Sequence, residues 1–132
     1  MYYEDTDVGG VVYYANYLKF MERARTEFLR GHGFDQSVLR SELQRQFVVR
    51  SVSMELHRPA YLDDQLQVET AIQHYGRASL LFGQRVMRHT NTQSPELLCA
   101  AKLKIACVDS QSFRPTAIPP ALTVALKREH KP

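Results

Sequence analysis

Long apolar runs are missing from this chain, and with them whole classes of protein. No stretch approaches the ~20 consecutive apolar residues that a membrane-spanning helix needs. The first residues, Met-Tyr-Tyr-Glu-Asp, are acidic where a secretory signal would carry a basic segment and then an apolar one. A soluble, unexported protein with no transmembrane segment is the expectation. Cysteine is scarce too, with Cys99 and Cys107 the only two. Their even spacing in a strand-like run puts both on one face, roughly 26 Å apart at about 3.3 Å per residue. A disulfide spans about 4.4–6.8 Å between Cα atoms, so these two cannot pair within that strand. They read as small buried hydrophobes in a reducing cytoplasm.

Other absences narrow the chemistry. His32, His57, His74, His89 and His130 show no His-x-x-x-His spacing, and no Cys-x-x-Cys occurs, so no metal site is expected. Gly9-Gly10 is not followed by the Gly-Lys-Ser/Thr of a phosphate-binding loop, and no Gly-x-Ser-x-Gly nucleophile elbow is present. The net charge of +3 comes from basic residues spread along the chain, which argues against a nucleic-acid partner. Arg50, Arg58, Arg77, Arg85, Arg88, Lys102 and Lys104 lie on or beside strand-like runs. They can meet a nucleotide's phosphates, although a solvated strand face accounts for any one of them.

What is present is enough for one domain over residues 1–132, a length that removes about two-thirds of the unfolded surface from water. Over residues 16–30, Tyr17, Phe20, Met21, Ala24 and Phe28 recur at helical spacing, while Lys19, Arg23 and Glu27 fall on another face. Arg23 and Glu27 stand at i,i+4 and can pair. Asn16 can cap this helix, whose start can also lie one or two residues earlier, and Gly31 or Gly33 can end it in a left-handed conformation. Residues 37–46 are polar and fit a short second helix or a loop. Runs at 46–57, 66–73, 78–89 and 97–108 read as strands, with Gly76-Arg77 as a turn. In the last run Cys99, Ala101, Leu103, Ile105 and Cys107 share one face, and Lys102 and Lys104 the other. Residues 114–120 read as an extended, proline-rich tail.

One long helix over four antiparallel strands, with a short further strand at the N-terminus, is an α+β layer. A single helix cannot cover so much sheet, so a symmetric homodimer is expected.

The chemistry is concentrated at the front. Five of the seven tyrosines lie within the first seventeen residues, around Asp5 and Asp7. Asp7 stands before a glycine pair and near the N–H groups that open the helix, groups with no intrahelical partner and a positive field. A carboxylate facing such donors suits acyl transfer: the donors stabilise an oxyanion while the carboxylate attacks or activates water. Gly9 and Gly10 let a ligand pass close to the backbone. Spacing alone favours an acidic turn followed by a helix cap over this chemistry, and it favours packing at a helix entry for Tyr3, Tyr13, Tyr14 and Tyr17.

The stretch TyrTyrGluAspThrAspValGlyGlyValValTyrTyrAlaAsnTyr, followed by LeuLysPheMetGluArgAlaArgThrGlu, closely resembles the Tol-Pal-associated acyl-CoA thioesterases of the YbgC type. These belong to the 4-hydroxybenzoyl-CoA thioesterase branch of the hotdog fold. The similarity continues through ArgProAlaTyrLeuAspAsp at 58–64, ArgAlaSerLeu at 77–80, GluLeuLeuCys at 96–99 and the PheArgProThrAlaIlePro tail. The resemblance implies an antiparallel sheet wrapped around one central helix, in a homodimer with sites at the interface or a dimer of such dimers. It implies hydrolysis of short-chain aliphatic or aromatic acyl-CoA, linked to the Tol-Pal envelope system, in the cytoplasm or peripherally at the inner membrane. No cofactor is implied beyond the coenzyme A of the substrate itself. Asp7 matches the catalytic aspartate and Tyr14 the position whose backbone N–H polarises the carbonyl; Tyr3, Gly9, Gly10 and Val11 fall in the substrate-binding set. The competing reading is a non-enzymatic module that binds acyl-CoA or acyl carrier protein. Two departures stand out. Position 14 is commonly His in the Tol-Pal group, so a His side-chain role is absent here, whereas a backbone donor survives any substitution except Pro. Relatives also carry a longer segment before the first strand, which is expected to be short or truncated here.

Overall fold

The computed structural model describes residues 14–61, 64–90 and 94–128, with Tyr14 described through its backbone only. The expected N-terminal strand lies outside these residues. The elements run α1 (Tyr14–Gly31), α2 (Gln36–Leu43), β1 (Arg45–Leu56), β2 (Gln65–Tyr75), β3 (Ser79–His89), β4 (Glu96–Asp109) and α3 (Pro120–Arg128). The strands form one antiparallel sheet in the order β1-β4-β3-β2. With α1 laid across its inner face, this is the α+β arrangement the sequence implied.

Helix α1 forms where the apolar spacing places it, and buries Tyr17, Met21 and Leu29 against the sheet, with Phe20 and Phe28 packed beside them. Full burial of one such side chain contributes about 1.5–3 kcal/mol. Asn16 is not the cap: it sits in the first turn and is buried. The helix stops through Gly33, whose φ of +89° is the left-handed conformation glycine allows, with Gly33 N–H donating to Arg30 O at 3.0 Å and Phe34 N–H to Leu29 O at 3.0 Å. Glu27 pairs with Arg30, at 2.8 Å, in place of the expected Arg23. The open choice at 37–46 resolves as helix α2. Asp35 caps it by accepting from the Ser37 N–H, and Gln44 ends it with a left-handed φ of 54°.

Register explains the core. Phe82 lies opposite Leu103 on β4 and Ile72 on β2, and Val86 opposite Cys99, so one face of three strands is continuous. Cys99 and Cys107 are both fully buried and unbridged, as expected. On β1 the same face carries Phe47, Val49, Val52 and Leu56, but α1 packs on β2 and β3, which leaves Val49, Val52 and Leu56 exposed. Beyond the extended tail the chain forms α3, which the proline-rich pattern does not signal. It buries Leu122 and Leu126 completely, and the tail itself is stitched down by Thr116 N–H to Cys107 O and Ile118 N–H to Arg77 O, each 2.9 Å.

Candidate active site at the start of the central helix

Helix α1 begins at Tyr14, so the backbone N–H groups of Tyr14 and Ala15 precede its first intrahelical hydrogen bond. Its first turn holds no acidic side chain, which leaves the positive end of the helix dipole unneutralised by its own residues. Such a turn can polarise a carbonyl and hold a developing oxyanion.

The turn is anchored from the side. Tyr17, 2% exposed, accepts a hydrogen bond on its hydroxyl from the Ala60 N–H at 3.0 Å. Burial pushes this phenol's pKa up, and the Ala60 bond offsets part of the rise. Ala60 belongs to the β1–β2 connection, the ArgProAlaTyr segment, and that connection is gripped by Arg88. Arg88 Nη1 donates to Asp64 Oδ2 at 3.0 Å and to Pro59 O at 3.2 Å, and Nη2 to Glu96 Oε2 at 2.6 Å. Arg88 is therefore neither a solvated strand residue nor free for a phosphate, because both carboxylates hold it protonated and hold its pKa up. Arg85 pairs with Glu69, and Arg58 reaches Glu96 at 3.5 Å.

Among the site residues read from sequence, the structure places the Tyr14 backbone at the head of α1. Asp7, Tyr3, Gly9, Gly10 and Val11 lie outside the described residues. Among the described residues no group of three or more His, Cys, Asp or Glu gathers into a metal cluster, and no helix is long and apolar enough to cross a membrane. A crevice of about 80 Å³ opens between α1 and β1, lined by Arg25, Thr26, Phe47, Val49 and Phe82. A larger depression of about 480 Å³, lined by Glu55, Glu69, Gly83, Arg85 and Lys102, faces away from α1 on the outer side of the sheet. Its side of the sheet is the wrong one for the helix N-terminus. Sequence reasoning missed the Arg88 clamp and the polar bridge from Arg25 to Gln84; the only advance signal was a glutamine between Phe82 and Val86 at core-facing positions.

The thioesterase superfamily profile matches residues 9–94, a range that includes α1, α2 and strands β1 to β3. The chain belongs to the thioesterase superfamily. Within that superfamily it is 44% identical over 128 residues to the acyl-CoA thioester hydrolase YbgC of Escherichia coli O6:H1, covering 97% of this chain and 92% of the relative. It is 46% identical over 125 residues to the acyl-CoA thioesterase YbgC of Haemophilus influenzae, covering 95% and 88%. The three-dimensional structure of 4-hydroxybenzoyl CoA thioesterase from Pseudomonas superposes with a TM-score of 0.86 at 22% identity, over 95% of this chain and 93% of that one. That likeness is one of fold, and the thioesterase member described here has the hotdog fold.

Proposed function

We propose that this protein hydrolyses short-chain aliphatic or aromatic acyl-CoA thioesters. The observation that carries the reading is the bare, positively polarised first turn of α1 beginning at Tyr14, in a chain whose YbgC relatives are named for this activity. The Tyr14 N–H donates a hydrogen bond to the thioester carbonyl oxygen, and Asp7, seven residues upstream, supplies the carboxylate. Acting as a base, Asp7 takes a proton from water; the new C–O bond forms, the carbonyl electrons pass onto oxygen beside the N–H, and the C–S bond then breaks. The proton passes to the leaving thiolate, giving coenzyme A and a carboxylic acid. Direct attack by Asp7, with a mixed anhydride then hydrolysed, uses the same placement. Tyr3, Gly9, Gly10 and Val11 shape the approach for the acyl-CoA. Neither route draws on a cofactor or metal.

The active unit in this reading is one hotdog domain per chain working in a homodimer, with the site at the interface, and pairs of dimers as a further assembly. Exposed Val49, Val52 and Leu56 on the helix-facing side of edge strand β1 support a second copy there. Its place is the cytoplasm or the inner-membrane surface, in the service of the Tol-Pal envelope system. The deciding experiment compares wild type with Asp7→Asn on butyryl-CoA and benzoyl-CoA: turnover should be nearly lost with the fold intact. Wild-type rates in that variant would remove Asp7 from the chemistry. Tight acyl-CoA or acyl carrier protein binding with no turnover by wild type would make the protein a binding module instead.

A further inference from the structure

The β1–β2 connection is held at more points than a surface loop requires. The His57 and Arg58 N–H groups both donate to Leu98 O, at 2.8 and 3.1 Å. The Tyr61 N–H donates to Asp64 Oδ2 at 2.7 Å, and Arg88 bridges Pro59 O, Asp64 and Glu96 while lying 6.0 Å from the Tyr61 ring centroid. The ionic partners are largely covered, with side-chain exposures of 17% for Arg88, 20% for Asp64 and 26% for Glu96. An exposed pair would contribute little, but here a covered guanidinium is spent on a loop carbonyl and on the carboxylate that turns the loop.

What the loop then does is hold the helix. Ala60, fully buried, gives its N–H to the hydroxyl of Tyr17, and Tyr17 stands three residues after Tyr14 in the first turn of α1, about 4.5 Å along the axis. Tyr17 thus carries the grip of the loop into the same turn that opens with the Tyr14 N–H. Donors of an oxyanion site act only at hydrogen-bonding distance from the oxygen, so a small rotation of this turn costs rate and leaves ground-state binding nearly intact.

We infer that Arg88 is a positioning residue of the thioester-cleaving site: by seating the β1–β2 connection it fixes, through the Ala60 amide and the Tyr17 hydroxyl, the angle at which the first-turn N–H groups of α1 meet the substrate carbonyl. The inference rests on the proposed role of that turn, and it adds a residue far along the chain from Asp7.

The test uses the full chain with whichever of butyryl-CoA and benzoyl-CoA the wild type turns over faster. Arg88→Lys, Tyr17→Phe and the double variant are compared for kcat, KM, urea midpoint and amide hydrogen exchange at Ala60. Arg88→Lys should lose about tenfold in kcat with KM changed less than about twofold, the pattern of an interaction realised only in the transition state. Ala60 should exchange faster in that variant. Because both residues act through one contact, the double variant should be no slower than the slower single variant. A merely structural clamp would lower the urea midpoint and leave kcat per folded molecule unchanged. That result, or losses that multiply in the double variant, or a change confined to KM, overturns the inference. If Arg88→Lys does not fold, Tyr17→Phe decides alone, and an unchanged kcat in it overturns the inference. The readout is separate from that of Asp7: an active Asp7→Asn sinks the assignment of the carboxylate and leaves the Arg88 comparison standing.

Discussion

Arg25 reaches from the central helix into the sheet and donates from Nη1 to Oε1 of Gln84 at 2.8 Å. Gln84 is 1% exposed, and its amide passes the connection on, from Nε2 to Met21 O at 2.9 Å and to Thr70 Oγ1 at 3.0 Å. A polar seam therefore crosses an apolar interface, with both Nε2 donors and the Oε1 acceptor of Gln84 partnered within it. The burial that makes the seam possible lowers the pKa of Arg25.

Breaking the seam should be expensive. Gln84→Met keeps the volume but strands the Arg25 guanidinium, and we expect a loss of about 2–3 kcal/mol, because a covered charged donor left without its partner keeps its desolvation cost. Urea denaturation with an unchanged m-value would measure it. A loss under about 0.5 kcal/mol would mean that Arg25 finds water or another acceptor with ease.

Stability should fall on the alkaline side. Burial pushes the Cys99 thiol up to about 11 from its usual 9.0, and burial also raises Cys107 and Tyr17. The folded chain thus keeps protons that the unfolded chain releases. Stability is complete below pH 9.0 and declines as the pH rises towards about 11. Cys99→Ala should flatten part of that decline in a pH series of urea midpoints. A profile identical to wild type above pH 9.0 would contradict the assignment of Cys99 as a contributor.

Gln44 offers a gain. Its φ of 54° is left-handed and its own N–H donates to Leu39 O, a cap that glycine makes without a Cβ penalty. Gln44→Gly should raise stability by about 0.5–1 kcal/mol, seen as a higher Tm, because relief of strain exceeds the added unfolded-state entropy. A lower Tm would show that the side chain contributes more than the conformation costs.

Much of this architecture is legible in the residues, and the illegible parts share a cause. The central helix follows from apolar spacing over residues 16–30, and β4 from the alternation of Cys99 to Cys107 with two lysines. Asn16 misleads as a cap because its type suits a helix entry, yet the packing of the sheet draws it inside the first turn. Helix α3 hides behind prolines that suggest extended chain, although Pro120 occupies the first helical position, where its missing N–H costs nothing. Arg88 reads as a surface cation because the carboxylates that claim it, Asp64 in the β1–β2 connection and Glu96 at the head of β4, are brought together only by the folded sheet. For the candidate site, Tyr14 as the start of α1 is visible in the structure, and Asp7 rests on the resemblance and on its distance along the chain from that start.

Helix α3 is short, but it closes the apolar interior with Leu122 and Leu126, while Lys127 lies 5.3 Å from the ring centroid of Tyr75. The hydrogen bonds of Thr116 and Ile118 hold the segment before it independently of the exposed turn at 110–114. A protease that nicked that turn would leave the two fragments associated and the protein folded. A premature stop ahead of Pro120 would instead bare the patch those leucines cover, and the cell would register it as aggregation or degradation and lose the protein before any defect in chemistry could be seen.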